Sequence, residues 1–282
     1  MTQAHRYLMC RPDHFTVSYE INPWMNSRVP TDTALAVKQW EWLRDVYLDL
    51  GHTVELIDPV PGLPDMVYAA NGATVVDGVV YGARFTVAQR ASEAAVYLDW
   101  FARRGFAVHD AVHRNEGEGD LLTVGERILA GTGFRTEVAA HREAAALWGR
   151  EVVTLELVDP RFYHLDTAVI VLEGSDGDPG DRGRGRPGPG QIAYYPGAFS
   201  PASVDLLAAL FPDAVLATEA DATVLGLNGV SDGTHVVLSP RATRLAGQLT
   251  ERGYTPIAVD TSELLLGGGG AKCCTLEIRP AR

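Results

Sequence analysis

Cysteine is scarce in this chain of 282 residues: there are three, Cys10, Cys273 and Cys274. Two of them are adjacent, which excludes a disulfide framework and fits a reducing compartment. Basic residues are in deficit, 24 Lys and Arg against 36 Asp and Glu, for a formal net charge of −12. Such a chain lacks the electrostatic footprint that nucleic acid or an anionic membrane demands of its main partner. Its acidity suits a small cationic substrate instead. Long apolar runs are missing too. No segment approaches the ~18 continuous apolar residues of a membrane span, and residues 1–11 carry no apolar core of a secretory signal. The expectation is a soluble, cytoplasmic protein. With 46% of its residues hydrophobic, it can bury a sizeable core as one large domain or two small ones.

What is present is a recurring pattern. Apolar residues at steps of three or four predict helices over 33–51, 92–104, 137–148, 202–211 and 242–252, most of them stopped by a glycine. Each is followed by a short apolar or β-branched run: 53–57, 107–109, 152–158, 214–217 and 257–259. The later four helices are preceded by hairpin-like pairs: 75–76 with 79–80, 121–124 with 128–130, 169–172 with 192–195, and 223–227 with 235–238. The first helix would take its strands from both ends of the chain, 7–9 and 274–278. Five ββαβ-like units that join the two termini predict one closed ring of α/β class rather than two domains. An ordinary α/β sandwich is the plainer alternative. Residues 173–191 are almost wholly Gly, Pro, Asp and Arg, a composition that cannot bury enough apolar surface to order itself and predicts a flexible surface loop.

Several clusters carry chemistry. Gly267–Gly268–Gly269–Gly270 leads through Ala271 and Lys272 to Cys273–Cys274. A thiol at the start of a strand after so permissive a turn is well sited as a nucleophile; a buried structural cysteine is the bland alternative. His164–Leu165–Asp166 lies in a run, 162–170, that reads as a strand, with His164 and Asp166 on one face. A carboxylate beside an imidazole orients it for general acid–base work, although an exposed pair is the commoner meaning. Glu116, Glu118 and Asp120 alternate with glycines and would crowd one strand face unless a cation lies between them; a solvated or calcium-like acidic loop fits as well. Asp65 and Asn71 could read the N–H donors of a guanidinium, though both sit in ordinary turn dipeptides. Arg84, Arg90 and Arg135 are candidate carboxylate clamps, because a guanidinium grips a carboxylate bidentately.

Taken in chain order, Leu63–Pro64–Asp65, Glu116–Gly117–Glu118–Gly119–Asp120, Gly133–Phe134–Arg135–Thr136, His164–Leu165–Asp166 and Gly267–Gly268–Gly269 followed by Cys273 resemble the guanidine-modifying (pentein) superfamily. That superfamily includes arginine deiminase, arginine dihydrolase, dimethylargininase and the amidinotransferases. The resemblance implies a five-bladed α/β-propeller forming a single catalytic domain over residues 1–282, and a hydrolase with no required cofactor or metal. It implies Cys273 as nucleophile and His164 as proton carrier. The guanidinium of a small amino-acid substrate would sit between Asp65, Asn71, Glu116 and Asp166. Arg90 and Arg135 would hold the α-carboxylate, and Asn22 would line the amino-acid end. The paired cysteines resemble dimethylargininases, but Ala70–Asn71 stands where those carry two acids. Ile21–Asn22–Pro23–Trp24–Met25, Asn71 and residues 157–167 are similar to arginine dihydrolases, which make arginine dihydrolase the leading expectation and dimethylargininase the alternative. An amidinotransferase comes third, and a non-catalytic arginine-binding protein fits less well, since thiol and imidazole are both kept. Glu118 departs from the pattern, which has a small residue there, and Glu116 is favoured as the acid facing substrate. A homo-oligomer is compatible with all of this.

Overall fold

The computed structural model describes residues 4–172 and 191–281. The loop expected at 173–191 lies, apart from Gln191, outside the described residues. In chain order the elements are β1 (Arg6–Cys10), α1 (Thr33–Asp49), β2 (Thr53–Ile57), β3 (Ala73–Val76), β4 (Val79–Gly82), α2 (Glu93–Arg103) and β5 (Ala107–His109). Next come β6 (Leu121–Val124), β7 (Arg127–Thr132), α3 (Val138–Trp148), β8 (Glu151–Glu156), β9 (Val169–Val171), β10 (Ile192–Tyr194), α4 (Pro201–Leu210) and β11 (Val215–Leu216). The rest are α5 (Glu219–Ala222), β12 (Val230–Ser231), β13 (His235–Leu238), α6 (Thr243–Glu251), β14 (Thr255–Ala258), α7 (Ser262–Leu265) and β15 (Leu276–Glu277).

The strands form five three-stranded sheets, ordered β15-β1-β2, β3-β4-β5, β6-β7-β8, β9-β10-β11 and β12-β13-β14. Each has the same plan. The first two strands run antiparallel, the chain then crosses through a long helix, and the third strand returns parallel to the second. The local causes are ordinary. In α1 the Asp32 side chain accepts from the Leu35 N–H, satisfying one of the helix's open N-terminal donors. Its apolar stripe, Ala36, Trp40, Leu43 and Tyr47, packs into a core cluster that also holds Tyr7, Tyr68, Cys273 and Cys274. The two chain ends meet in one sheet through Tyr7 paired with Glu277 and Leu8 with Leu276. Five repeated three-stranded units of α/β class fit a pseudo-fivefold arrangement. Among the described residues no helix is long and apolar enough to cross a membrane.

One regularity positions everything that follows. β3, β6 and β9 begin at equal intervals, at residues 73, 121 and 169, and each is entered through a single 3₁₀ turn: Ala69–Asn71, Gly117–Gly119 and Leu165–Thr167. Asn228 and Cys273 stand in the corresponding turns before β12 and β15. Three expectations are corrected here. Residues 162–170 are not one strand but hold a 3₁₀ turn at Leu165–Thr167 before β9 opens at Val169, and residues 116–120 are not a strand at all but are built around the 3₁₀ turn Gly117–Gly119 ahead of β6. Residues 223–227 are not a strand either. The Thr218 hydroxyl accepts from the Asp221 N–H and starts α5, after which the chain turns with Leu225 at φ 50°, and the strand begins only at Val230.

The sheets are also tied by charge. Asp232, in the β12–β13 hairpin, accepts from the N–H groups of Thr234 (2.8 Å) and His235 (2.6 Å) and pairs with the His235 ring (2.8 Å). It also lies 3.4 Å from His52, which leads into β2 of another sheet. Burial alone would raise this carboxyl, but His52, then His235 and Thr234, outweigh it and hold it well below the usual carboxylate range. A carboxyl depressed by folding contributes stability above its unfolded value of about 3.9 and loses that contribution as pH falls. Asp232→Asn is therefore expected to lower the unfolding free energy by ~1–3 kcal/mol near neutral pH. In urea titrations taken to progressively more acid pH, the gap from wild type should shrink; a constant gap would reject a charge-based tie between these sheets.

Candidate active site

The turn that delivers the thiol is built on glycine. Gly268 has φ +91°, and a Cβ on Gly269 would lie 2.4 Å from the Tyr68 ring, so the backbone rests directly on that ring. The Tyr68 hydroxyl is itself anchored to the Leu264 carbonyl at 2.7 Å. Asn228 then ties the turn down. Its Oδ1 accepts from the N–H groups of Gly270 (2.9 Å) and Cys273 (3.1 Å), and its Nδ2 donates to Cys273 Sγ (3.1 Å) and the Asp166 carbonyl (3.1 Å). The thiol donates to Asp166 Oδ2 at 3.1 Å. Burial, followed by the Asp166 charge, pushes the Cys273 thiol well up. Burial raises Asp166 as well, to about 7, against the opposing Cys273 hydrogen bond and Lys272 charge. The proton of this couple therefore rests on sulfur until a cation arrives.

The imidazole is served by a different carboxylate. His164 Nε2 lies 2.8 Å from Glu116 Oε2, not against Asp166, which corrects the pairing expected from the His-Leu-Asp motif. Glu116 is fully buried and also accepts from Arg135 Nη1 at 3.2 and 3.3 Å and from the Thr86 N–H at 3.2 Å. Burial would raise its carboxyl, but the hydrogen bond and charge of His164, then Arg135 and Arg90, bring it down to about 2. An ionised carboxylate only accepts, so the Nε2 proton of His164 points at Glu116 and the opposite nitrogen, Nδ1, is the free one.

The remaining residues fall into two groups. Asp65 Oδ2 accepts from the Tyr19 hydroxyl at 2.9 Å, and Asn71 Oδ1 accepts from Arg90 Nη1 at 2.7 Å. Their other ends, Asp65 Oδ1 and Asn71 Nδ2, make no hydrogen bond within the protein, and neither do Asp166 Oδ1 and His164 Nδ1. All four atoms are buried. The turn that carries Asn71 touches the thiol turn: the Ala70 N–H donates to the Cys273 carbonyl at 3.0 Å. A Cβ on Gly119 would lie 2.4 Å from Asn71 Nδ2 and 3.3 Å from the His164 ring.

The arginines are braces rather than open clamps. Arg90, 3% exposed, grips Glu93 through Nε (3.1 Å) and Nη2 (2.8 Å) and also donates to the Asp65 carbonyl at 3.2 Å. It fixes Asp65 and Asn71 from behind. Arg135 lies over the Tyr163 ring and donates to Glu116 and to the Ile21 carbonyl. Arg84 is exposed, with Nη1 3.4 Å from the Ala111 carbonyl, away from the cluster. Asn22 links its loop to the glycine turn through Nδ2, which donates to the Gly267 carbonyl (3.1 Å) and Tyr163 hydroxyl (3.3 Å). The three acids of the 116–120 segment point three ways, because a 3₁₀ turn spreads successive side chains around its axis instead of alternating them. Glu116 reaches His164. Asp120 holds Thr136 Oγ1 (2.7 Å) and the Leu165 N–H (3.0 Å) and is raised by burial to about 6. Glu118 meets Lys272 and Arg279. Asn228, which the sequence reading passed over, carried a usable signal: Asn228–Gly229 precedes β12 as Asn71–Gly72 precedes β3. Among the described residues no group of three or more His, Cys, Asp or Glu is placed to hold a metal ion.

No family model matches the chain. It is 51% identical over 278 residues to the N(G),N(G)-dimethylarginine dimethylaminohydrolase of Mycobacterium tuberculosis, covering 99% of this chain and 87% of that protein. It is 34% identical over 285 residues to the bifunctional arginine dihydrolase/ornithine cyclodeaminase AgrE of Nostoc, covering 99% of this chain but 38% of that longer protein. The crystal structure of the N-terminal domain of ArgZ, covalently bound to a reaction intermediate, superposes with a TM-score of 0.88 at 33% identity over 98% of both chains. A dimethylarginine dimethylaminohydrolase structure superposes with a TM-score of 0.78 at 17% identity over 98% of this chain and 100% of the other, a likeness of fold alone. The chain therefore belongs to the pentein-type, guanidino-modifying family that holds the dimethylarginine dimethylaminohydrolases and the arginine dihydrolases.

Proposed function

We propose that this chain hydrolyses the guanidino C–N bonds of arginine through a covalent adduct on Cys273, and that it runs the cycle twice, releasing ornithine, two ammonia and CO2. The observation that carries this reading is the set of four buried, unpartnered atoms on Asp65, Asn71, Asp166 and His164: two carboxylate oxygens, an amide N–H and an imidazole nitrogen. Asp65 Oδ1 and Asp166 Oδ1 suit the N–H edges of a planar cation. That cation favours the thiolate, and the thiol proton passes to His164 Nδ1 as the carbon–sulfur bond forms at the guanidino carbon. His164 Nδ1 carries a proton to the departing nitrogen, ammonia leaves, and the same nitrogen takes a proton from the water that cleaves the adduct. The first product is ureido; a second attack at that carbon gives a carbamate that loses CO2.

Asn71 separates the two rounds. Arg90 has only donors, so it claims Oδ1 and leaves the Nδ2 donor as the free end. A guanidinium offers nothing for a donor to bond, whereas a ureido oxygen does. This supports arginine dihydrolase. The second reading, hydrolysis of dimethylarginine to citrulline and dimethylamine, is favoured by the higher identity to the protein so named. The five sheets are read as blades of one closed α/β-propeller forming a single catalytic domain over residues 1–282. The β15–β1 pairing of the chain ends, with β15 beside β3, β6 beside β9 and β9 beside β12, supports this.

Purified protein offered arginine, dimethylarginine and citrulline separately is expected to yield ornithine and ammonia from the first and third, read by mass spectrometry. Dimethylamine with citrulline as the end product would favour the second reading. Cys273→Ser should lower kcat roughly 10³-fold or more while leaving the melting temperature close to wild type; appreciable turnover would reject a covalent role for this thiol. Asn71→Asp is expected to move the product of arginine from ornithine toward citrulline, and an unchanged product ratio removes the argument from its free N–H.

A further inference from the structure

Glu118 is the charge in the acid turn that the proposed chemistry does not use. It is 1% exposed, and a buried carboxylate without a task is costly unless it is fully paired. Its partners lie on one segment. Oε2 accepts from Lys272 Nζ (2.7 Å) and the Glu277 N–H (2.9 Å), and Oε1 accepts from Arg279 Nη1. These residues flank Cys273 on both sides. Lys272 is the residue directly before the thiol, and its Nζ also donates to the Thr275 carbonyl at 2.9 Å while its N–H donates to the Asn228 carbonyl at 3.1 Å. Lys272 also lines a small, partly open cavity with Thr275, Glu277, Arg279, His5 and Tyr7 among others. The Glu118–Lys272 pair thus ties the acid turn to the segment that carries the thiol.

We propose that Glu118 and Lys272 are positioning residues for the nucleophile, holding Cys273 against Asp166 and balancing the charge beside that couple. The inference rests on the proposed reading in one respect, that Asp166 must be an anion to receive the substrate cation. The groups acting on Asp166 are the Cys273 thiol and the Asn228 amide by hydrogen bond, and Lys272 and Glu118 by charge. Cys274 and Tyr163 stand near enough to feel its charge in turn, and His164 shares its segment. Lys272 favours the carboxylate and Glu118 opposes it. Removing either charge therefore pushes Asp166 in opposite directions, whereas the loss of a merely mechanical staple would not.

The test follows the Asp166 side-chain carboxyl by carbon NMR in aspartate-labelled protein, assigned against Asp166→Asn, alongside the pH profile of kcat/KM on arginine. Glu118→Gln should move the Asp166 midpoint, and with it the acid limb of the profile, to lower pH by roughly 0.5 to 1 pH unit; Lys272→Met should move both to higher pH by a similar amount. Lys272→Arg, which keeps the charge, should restore the wild-type midpoint. Shifts in the same direction, or none, overturn the proposal. Either variant suffices if it folds, and failure of both to fold makes the pair a requirement of the fold and also overturns it. Absence of arginine hydrolysis by the wild type defeats the functional reading but leaves the NMR midpoint to judge this inference on its own.

Discussion

A buried thiol hydrogen-bonded to a buried carboxylate is the constraint on which the rest of this site depends. Burial disfavours the anion on both Cys273 and Asp166, so the two share one proton, held on sulfur and donated to the carboxylate. Such a couple keeps its geometry only if both turns that carry it are fixed. Asn228 does this with a single side chain, bonding the backbone of the thiol turn, the sulfur, and the carbonyl of Asp166. A cation entering beside the couple shifts its balance, which ties reactivity to the charge of what is bound.

The other ionisable groups are arranged so that each has one occupation. Glu116 is kept ionised by His164 and Arg135, and this decides which imidazole nitrogen is free. Arg90 is held by Glu93 and in turn decides which end of Asn71 is free. The arginines thus act one layer behind the open atoms. Their guanidinium forks suit this task, because several rigid donors can pin two or three neighbours at once.

Much of the architecture was legible in the chain. Helices at 3.6-residue periodicity, strands after each, and a unit assembled from both termini all follow from short-range preferences, and the five repeated sheets contain them with shifts of a residue or two. The strand readings at 116–120 and 162–170 failed for a shared reason. Alternating polar and apolar residues mark a strand only when the chain is extended, and these segments are tight turns entering very short buried strands. The same error assigned His164 to Asp166, since in a turn neighbouring side chains diverge toward different elements.

By itself the sequence determined which chemical groups are available: one glycine-delivered thiol, one imidazole in a His-Leu-Asp motif, an acidic run, an asparagine where an acid is usual. It also determined the order in which repeated units present them. Only the tertiary structure decided who faces whom. The thiol took Asp166, the imidazole took Glu116, Glu118 went to Lys272, and Asn228 from an unremarked Asn-Gly turn became the link between them. The physical reason is that these partnerships are hydrogen bonds and ion pairs between residues 45 to 154 positions apart. Contacts at that separation are set by how the sheets assemble, and no local pattern in the chain encodes them.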